Sequence, residues 1–325
     1  MALRFSLPFV VCFALTLGAG TACAVPIYTF TDLGTLGGTS SYASSLNDSG
    51  QVAGYSYNAS IAMHAFLDSG GSMSDLGTLG GSTSYARGIS ASGQVVGYST
   101  LSLGDTRAFL YSGGSMSDLG TLGGNSSWAY GVNDAGKVVG SSYHTAGLFQ
   151  DHAFLYSGGS MIDLGTLGGT TSAAYAISNA GQIVGRATLA GGSAHAFLYS
   201  GGSMIDLGTL GGTGSSASGI NELGQVVGAS YFSGGGTTNH AFLREGSTMY
   251  DLNDLIPAGS GWTLNEALAV NEWGDICGYA TGSEGQVHAF LAYRTDRNVV
   301  PEPGTLALLG MGLGALVVYR RRRQA

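Results

Sequence analysis

Residues 73–111 read MSDLGTLGGSTSYARGISASGQVVGYSTLSLGDTRAFLY, and this stretch decides the fold. It breaks into four short runs, Met73 to Leu79, Tyr85 to Ser90, Gln94 to Ser99 and Arg107 to Tyr111, each rich in β-branched, aromatic or small residues. Segments rich in glycine, serine and threonine separate them, so the pattern is that of four strands joined by tight turns.

The same unit recurs along the chain. Its landmark aspartates, Asp32, Asp75, Asp118, Asp163, Asp206 and Asp251, are spaced by 43, 43, 45, 43 and 45 residues. Six copies of a four-stranded unit of this length predict an all-β fold, a β-propeller of six four-stranded blades. The repeats begin near residues 32, 75, 118, 163, 206 and 251 and fill a body spanning 25–299.

Side-chain size orders the strands. In the second run, alanine stands three places before an aliphatic anchor (Ala86 before Ile89, Ala129 before Val132), and only Ser45, Gly88, Gly131, Ala176, Gly219 or Ala269 stands one place before it. Strands crowded around an axis need small side chains, so this run is expected to be innermost. Turns such as Asn47-Asp48-Ser49-Gly50 then form a hairpin into the Gln-Val-Val-Gly strand. Phe66, Phe109, Phe154, Phe197, Phe242 and Phe290 of the following strand are the expected large packing residues between blades. With the Asp-Leu strand outermost, Tyr28 to Leu36 is expected to complete the last blade and close the ring, leaving no long free edge.

His64-Ala65-Phe66 recurs at His152, His195, His240 and His288, with Arg107 replacing the histidine in the second copy. On these residues the body, from about 28 to 293, resembles the HAF-repeat family of bacterial extracellular proteins. The resemblance implies an extracellular repeat protein and carries no catalytic residue onto this chain. The sixth copy departs from Gly-Thr-Leu-Gly-Gly, reading Asn253-Asp254-Leu255-Ile256-Pro257.

Glycine accounts for 57 of 325 residues and charged residues for only 10%. Setting aside Arg4 and Arg320 to Arg323, seven basic residues face twenty acidic ones, a balance that argues against nucleic acid as a partner. Cys12 and Cys23 precede the body and only Cys277 lies within it, so no disulfide can form inside the body. Cys277 occupies the position of Ala53, Val96, Val139, Val184 and Val227, which predicts a small buried apolar residue rather than a reactive thiol.

Residues 1–24 read as a signal peptide: Arg4, an apolar run from Phe5 to Leu17, and small residues Ala22 and Ala24 before a cut at Val25. Residues 300–325 hold Pro301-Glu302-Pro303-Gly304, an uncharged segment 305–319 and the cluster Arg320, Arg321, Arg322, Arg323. Fifteen residues at helical rise span about 22 Å, short of the roughly 30 Å hydrocarbon core, which makes a marginal membrane helix. The arginines would hold that end cytoplasmic. This arrangement resembles the PEP-CTERM sorting signal. It implies export across the inner membrane, a transient anchor, signal peptidase and exosortase as processing partners, and release to the cell surface or matrix of a bacterium that makes exopolysaccharide.

The five histidines and six aspartates suggest metal ligands, but one per blade spreads them around the ring, and Arg107 cannot ligate a cation. The expectation is no metal and no cofactor. His64, Arg107, His152, His195, His240 and His288 are assigned a structural role, bonding Asp32, Asp75, Asp118, Asp163, Asp206, Asp251 or a neighbouring carbonyl. Gly-Thr-Leu-Gly-Gly lacks the lysine and the strand-to-helix context of a phosphate loop.

Unmatched acids, Asp68, Asp105, Asp151, Glu245, Glu266 and Glu284, are not paired by spacing, so no catalytic residue is assigned and a non-enzyme is expected. The alternative is a secreted carbohydrate-active hydrolase or lyase whose fold brings two of them together. Aromatic residues offer a second signal: Tyr42, Tyr85, Trp128 and Trp262 near the inner strand, and Tyr57, Tyr143, Phe149, Tyr231 and Phe232 in the loop joining the middle strands. Flat rings interleaved with hydroxyls and amides suit sugar rings, which points to extracellular polysaccharide, or a matrix protein, as partner.

Overall fold

The computed structural model describes residues 31–145, 150–234, 236 and 238–295. They form a six-bladed all-β propeller in which each blade is an antiparallel sheet with its strands in sequence order. The innermost strands are Gly37–Leu46, Ser84–Ile89, Ser127–Val132, Gly168–Ile177, Gly211–Ile220 and Trp262–Val270. The second strands are Val52–Asn58, Val95–Thr100, Val138–Tyr143, Ile183–Leu189, Val226–Phe232 and Ile276–Gly282. Met63–Asp68, Thr106–Ser112, Asp151–Ser157, Ala194–Ser200, Asn239–Glu245 and Val287–Ala292 follow as third strands. Met73–Asp75, Ser115–Asp118, Ser160–Asp163, Ser203–Asp206 and Thr248–Asp251 are the outer strands of the first five blades.

Close approach of backbones explains the small residues of the inner strand. A Cβ on Gly88 would lie 3.0 Å from the Tyr130 carbonyl oxygen of the next blade, one on Gly131 3.1 Å from that of Tyr175, and one on Gly219 3.0 Å from that of Leu268. Within each blade the inner strand also carries a β-bulge, with the register shifting between Ala86 and Gly88 and at every equivalent pair. The bulge presses an inner-strand carbonyl against the second strand, which is why glycine follows Gln-Val-Val there: a Cβ on Gly97 or Gly140 would fall 1.9 Å from the oxygen of Tyr85 or Trp128.

The turns behave as their residues dictate. Gly50 takes a φ of 75°, its amide donates to the Asn47 carbonyl, and the Asn47 side-chain oxygen accepts from Ser49 and Gln51. Asn47 also donates to the Ser90 carbonyl of the next blade, and Asn133 and Asn221 reach Ser178 and Asn271 in the same way. Gly-Thr-Leu-Gly-Gly links one blade to the next. Ser84 donates to the Gly77 carbonyl and accepts the Ala65 amide of the preceding blade.

Each junction between consecutive blades holds one apolar cluster. That of the second and third blades contains Val96, Ala108, Leu119, Ala129, Val138 and Phe154, all buried. Phe109, Phe154, Phe197 and Phe242 each pack on the blade before their own.

Three expectations about the ring need correction. Of the segment Tyr28 to Leu36, residues 28–30 lie outside the described residues, 31–35 carry no strand, and Leu36 bridges Asn58 of the first blade. Among the described residues the sixth blade has three strands. Cys277 is exposed rather than buried, and Phe290 is only half-buried where its five counterparts are buried. The physical reasons differ: Phe290 packs toward the fifth blade but, among the described residues, lacks the fourth strand that its counterparts pair with, as Phe242 does at Asp251, whereas Cys277 lies on the side away from the fifth blade. Five clusters join blades one to six in succession, and among the described residues none joins the sixth to the first.

Candidate functional site

In strands that otherwise repeat, the copies differ at two places on the inner half of each blade. One is the residue pair facing across the first two strands: Tyr42 and Tyr55, Tyr85 and Tyr98, Trp128 and Ser141, Ala173 and Arg186, Ser216 and Ala229, Glu266 and Tyr279. The other is the extra residue of each inner-strand bulge, Ser44, Arg87, Tyr130, Tyr175, Ser218 or Leu268. An unpaired bulge residue is free to be re-aimed without breaking the sheet.

These positions meet their equivalents in adjoining blades. Rings of Tyr42, Tyr55, Tyr85 and Tyr98 form an unbroken series with centroids 5.2, 5.2 and 5.1 Å apart, spanning the first two blades. Arg87 donates to the Tyr98 hydroxyl at 2.9 Å, with its guanidinium carbon 5.4 Å from that ring's centroid. Tyr130 and Tyr175, from the third and fourth blades, lie 5.7 Å apart. Beside them a narrow cleft is lined by Asp151, Arg186 and Thr188. Glu266 accepts from Ser218 at 3.1 Å and from the Tyr279 hydroxyl at 2.9 Å. The whole is a band of phenols and hydrogen-bonding groups with exposed Arg87 and Arg186.

Burial pushes the Tyr130 and Tyr175 hydroxyls above the ordinary tyrosine value; a bond to Ser141 in the first and the Arg186 charge in the second act the other way. A raised folded-state pKa leaves stability intact below pH 10 and erodes it as pH climbs from there through the folded value. Thermal melting is therefore expected to fall as pH rises above about 10, and Tyr130→Phe with Tyr175→Phe should flatten that decline. An alkaline limb unchanged in the double variant would count against burial of these hydroxyls.

The sequence-derived aromatics separate into groups. Tyr42, Tyr85 and Trp128 lie on inner strands, and Tyr57, Tyr143, Tyr231 and Phe232 on second strands rather than in loops, because the strands extend further than the turn residues suggest. Trp128 packs edge-on against Tyr143 at 5.2 Å. Phe232 stacks on His240 at 3.8 Å, so its ring supports the blade rim. Trp262 lies 4.8 Å from His288 and walls a cleft of about 480 Å³ with His240, Asn253 and Thr281, at the point where Pro257 to Gly261 interrupt the repeat. Phe149 falls outside the described residues. Tyr55, Tyr98, Arg87, Tyr130 and Tyr175 were missed. Comparing copies position by position marks them as sites of variation, but only cross-strand register shows that they adjoin one another.

His64, His152, His195 and His240 place Nδ1 within 2.5 to 2.9 Å of Asp75, Asp163, Asp206 and Asp251 of their own blade's outer strand, and Arg107 stands 3.9 Å from Asp118. The aspartate also caps the following turn, accepting from Gly77, Gly120, Gly165 or Gly208. The unmatched acids are dispersed: Asp68 is buried and accepts from Gly71, Asp105 accepts from Asn125, and Glu245 pairs with Arg294. Asp151 and Glu266 both lie close enough to Tyr175 to act on its ionisation.

Residues 299–323 match the PEP-CTERM protein-sorting motif, which marks the chain as exported and targeted to an exosortase. That segment, like residues 1–24, lies outside the described residues, among which no helix is long and apolar enough to cross a membrane. No curated protein matches the chain. Among solved structures, the β-propeller domain of the trilobed protease from Pyrococcus furiosus, described as having an open velcro topology, is similar with a TM-score of 0.53 at 9% identity, covering 79% of this chain and 82% of that one. TolB from Acinetobacter baumannii gives 0.46 at 16%, over 64% of this chain and 52% of its own, so the chain spans about half of TolB's length. A six-bladed fucose-recognising lectin from Aleuria aurantia gives 0.37 at 14%, over 77% and 91%. At these identities the likeness concerns the fold alone.

Proposed function

We propose that this chain is a non-enzymatic extracellular propeller of the HAF-repeat type that binds polysaccharide through the inner ends of its blades. One observation carries the reading: where a sixfold repeat has no structural need to vary, it places an unbroken series of tyrosines, Tyr42, Tyr55, Tyr85 and Tyr98, with Arg87 bonded to the last. Aromatic faces take the apolar faces of sugars while hydroxyl and guanidinium groups take their hydroxyls. Cleavage before Val25 and near Pro301 to Gly304 would deliver the body to the cell surface or the exopolysaccharide matrix.

The test uses exopolysaccharide isolated from the native host. Tyr85→Ala with Tyr98→Ala is expected to weaken its binding at least about tenfold, a loss of roughly 1.4 kcal/mol, with folding verified by circular dichroism. Undiminished binding by the folded double variant would refute the site. The enzymatic alternative is favoured by Glu266, an unmatched acid hydrogen-bonded to Tyr279 within this same band. Depolymerisation of the polysaccharide, lost on Glu266→Gln, would establish it instead.

A further inference from the structure

The two ends of the blade series present faces that are covered everywhere else. Toward the following blade, Ala53, Val96, Val139, Val184 and Val227 have no exposed surface, yet Cys277 at the same position of the sixth blade is exposed. Ala289 is exposed where its five counterparts are buried, and Leu291 is 53% exposed. Toward the preceding blade, Ala86, Ala129, Ala174, Ala217 and Ala267 are buried, whereas Ala43 of the first blade is exposed and Leu46 is 66% exposed, although Phe66 of the same blade stays buried, so the inner-strand part of this face is what lies open.

These faces are complementary by construction. At each of the five internal junctions a face of the Cys277 kind is covered by a face of the Ala43 kind: Val96 packs with Ala129, Val139 with Ala174 and Val184 with Ala217. We propose that the sixth-blade face of one molecule docks on the first-blade face of a second copy, head to tail, repeating the internal junction between chains.

A second copy is favoured over the molecule's own first blade by the way the step between blades is set. It rests on backbone contact, with Gly88, Gly131 and Gly219 held at nearly equal distances from the next inner strand. Such contacts resist the adjustment that all five junctions would have to share to bring the end faces together. At three of those junctions a turn asparagine donates across to the next blade. Among the described residues no such bond links the sixth blade to the first: Asn271 donates to Asp275 of its own turn, as Asn47 and Asn221 do to Gln51 and Gln225, but not across to the first blade. A head-to-tail contact leaves one free face of each kind after every addition, so it propagates rather than stopping at a dimer. With charged residues at only 10% of the chain, little repulsion opposes it.

Ala43→Cys gives Cys277 a partner at the position that meets it at every internal junction. In a full chain carrying Cys12→Ser and Cys23→Ser, a short bismaleimide is expected to produce covalent dimers and a ladder of higher species on a reducing gel. The ladder should disappear with Cys277→Ser and fall at least about tenfold when Leu291→Lys places a charge in the face. Sedimentation of the unaltered chain should show mass rising with concentration. A cross-link confined to the monomer would mean that the chain closes on itself and would overturn the proposal. So would the absence of any cross-link in a variant that keeps its β-sheet circular dichroism.

Discussion

Replacing Gly140 with alanine is expected to destabilise the fold by about 3 kcal/mol, the upper part of the range for overpacking a filled site. The new methyl would fall 1.9 Å from the Trp128 carbonyl oxygen, 2.8 Å from the Phe154 ring and 2.9 Å from the Ala129 Cα. Two of these neighbours are backbone atoms of the paired inner strand, and the third is a buried ring with no room to turn. Relief would have to come from opening the bulge, which carries Tyr130 toward the candidate site. Gly191→Ala supplies the control, because nothing lies within 4 Å of the added carbon; its effect should stay within about 0.5 kcal/mol. Urea unfolding of both variants checks the pair. An unchanged midpoint for Gly140→Ala would mean that the first two strands are not paired in this register.

Phe154→Ala is expected to cost about 3 to 5 kcal/mol, the range for emptying a fully buried aromatic site. Its ring has no exposed surface and packs among Val96, Ala108 and Leu119 of the preceding blade, so its loss loosens a junction rather than one sheet. Phe290→Ala, at the equivalent position of the sixth blade, should cost about half as much, since its ring is half-buried and partly solvated already. Repeat arrays can lose cooperativity when one interface weakens, so unfolding is best followed by both far-ultraviolet circular dichroism and tyrosine fluorescence. Divergence of the two probes in Phe154→Ala, with coincidence in the parent, would locate the weakened step at the second junction. Equal losses for the two phenylalanines would contradict the difference in their burial.

Much of the blade was legible because its constraints are local and occur six times. One glycine after a pair such as Val95-Val96 is unremarkable; the same glycine in all six copies, Gly54, Gly97, Gly140, Gly185, Gly228 and Gly278, describes a strand that passes under a carbonyl. Alanine three places before every aliphatic anchor reports crowding at the inner strand in the same way, and the pairing of histidine with aspartate fits a spacing of eleven residues in each of four blades. The site was less legible. Tyr55 and Tyr98 look like strand residues in an ordinary alternation, and nothing in the linear order says that Tyr55 of one blade touches Tyr85 of the next. Phe232 misled in the opposite direction, since an aromatic beside a serine- and glycine-rich loop suggests a ligand platform until its ring is seen stacked on His240.

By itself, then, the sequence determined the period, the four strands of each unit, their order from the axis outward and the sorting motif at residues 299–323. Each follows from residue types at short or regularly repeated spacing, where steric and turn preferences act on neighbours in the chain. Only the tertiary structure decided whether the last face meets the first, because closure depends on the rotation accumulated over five junctions. A small difference at each, set by the fit of Gly88, Gly131 and their equivalents against the next backbone, adds up to a ring or to two uncovered faces. Cys277 shows the consequence. Its position in the repeat is that of a buried alanine or valine, and it is exposed because, among the described residues, no blade packs on that side of the sixth.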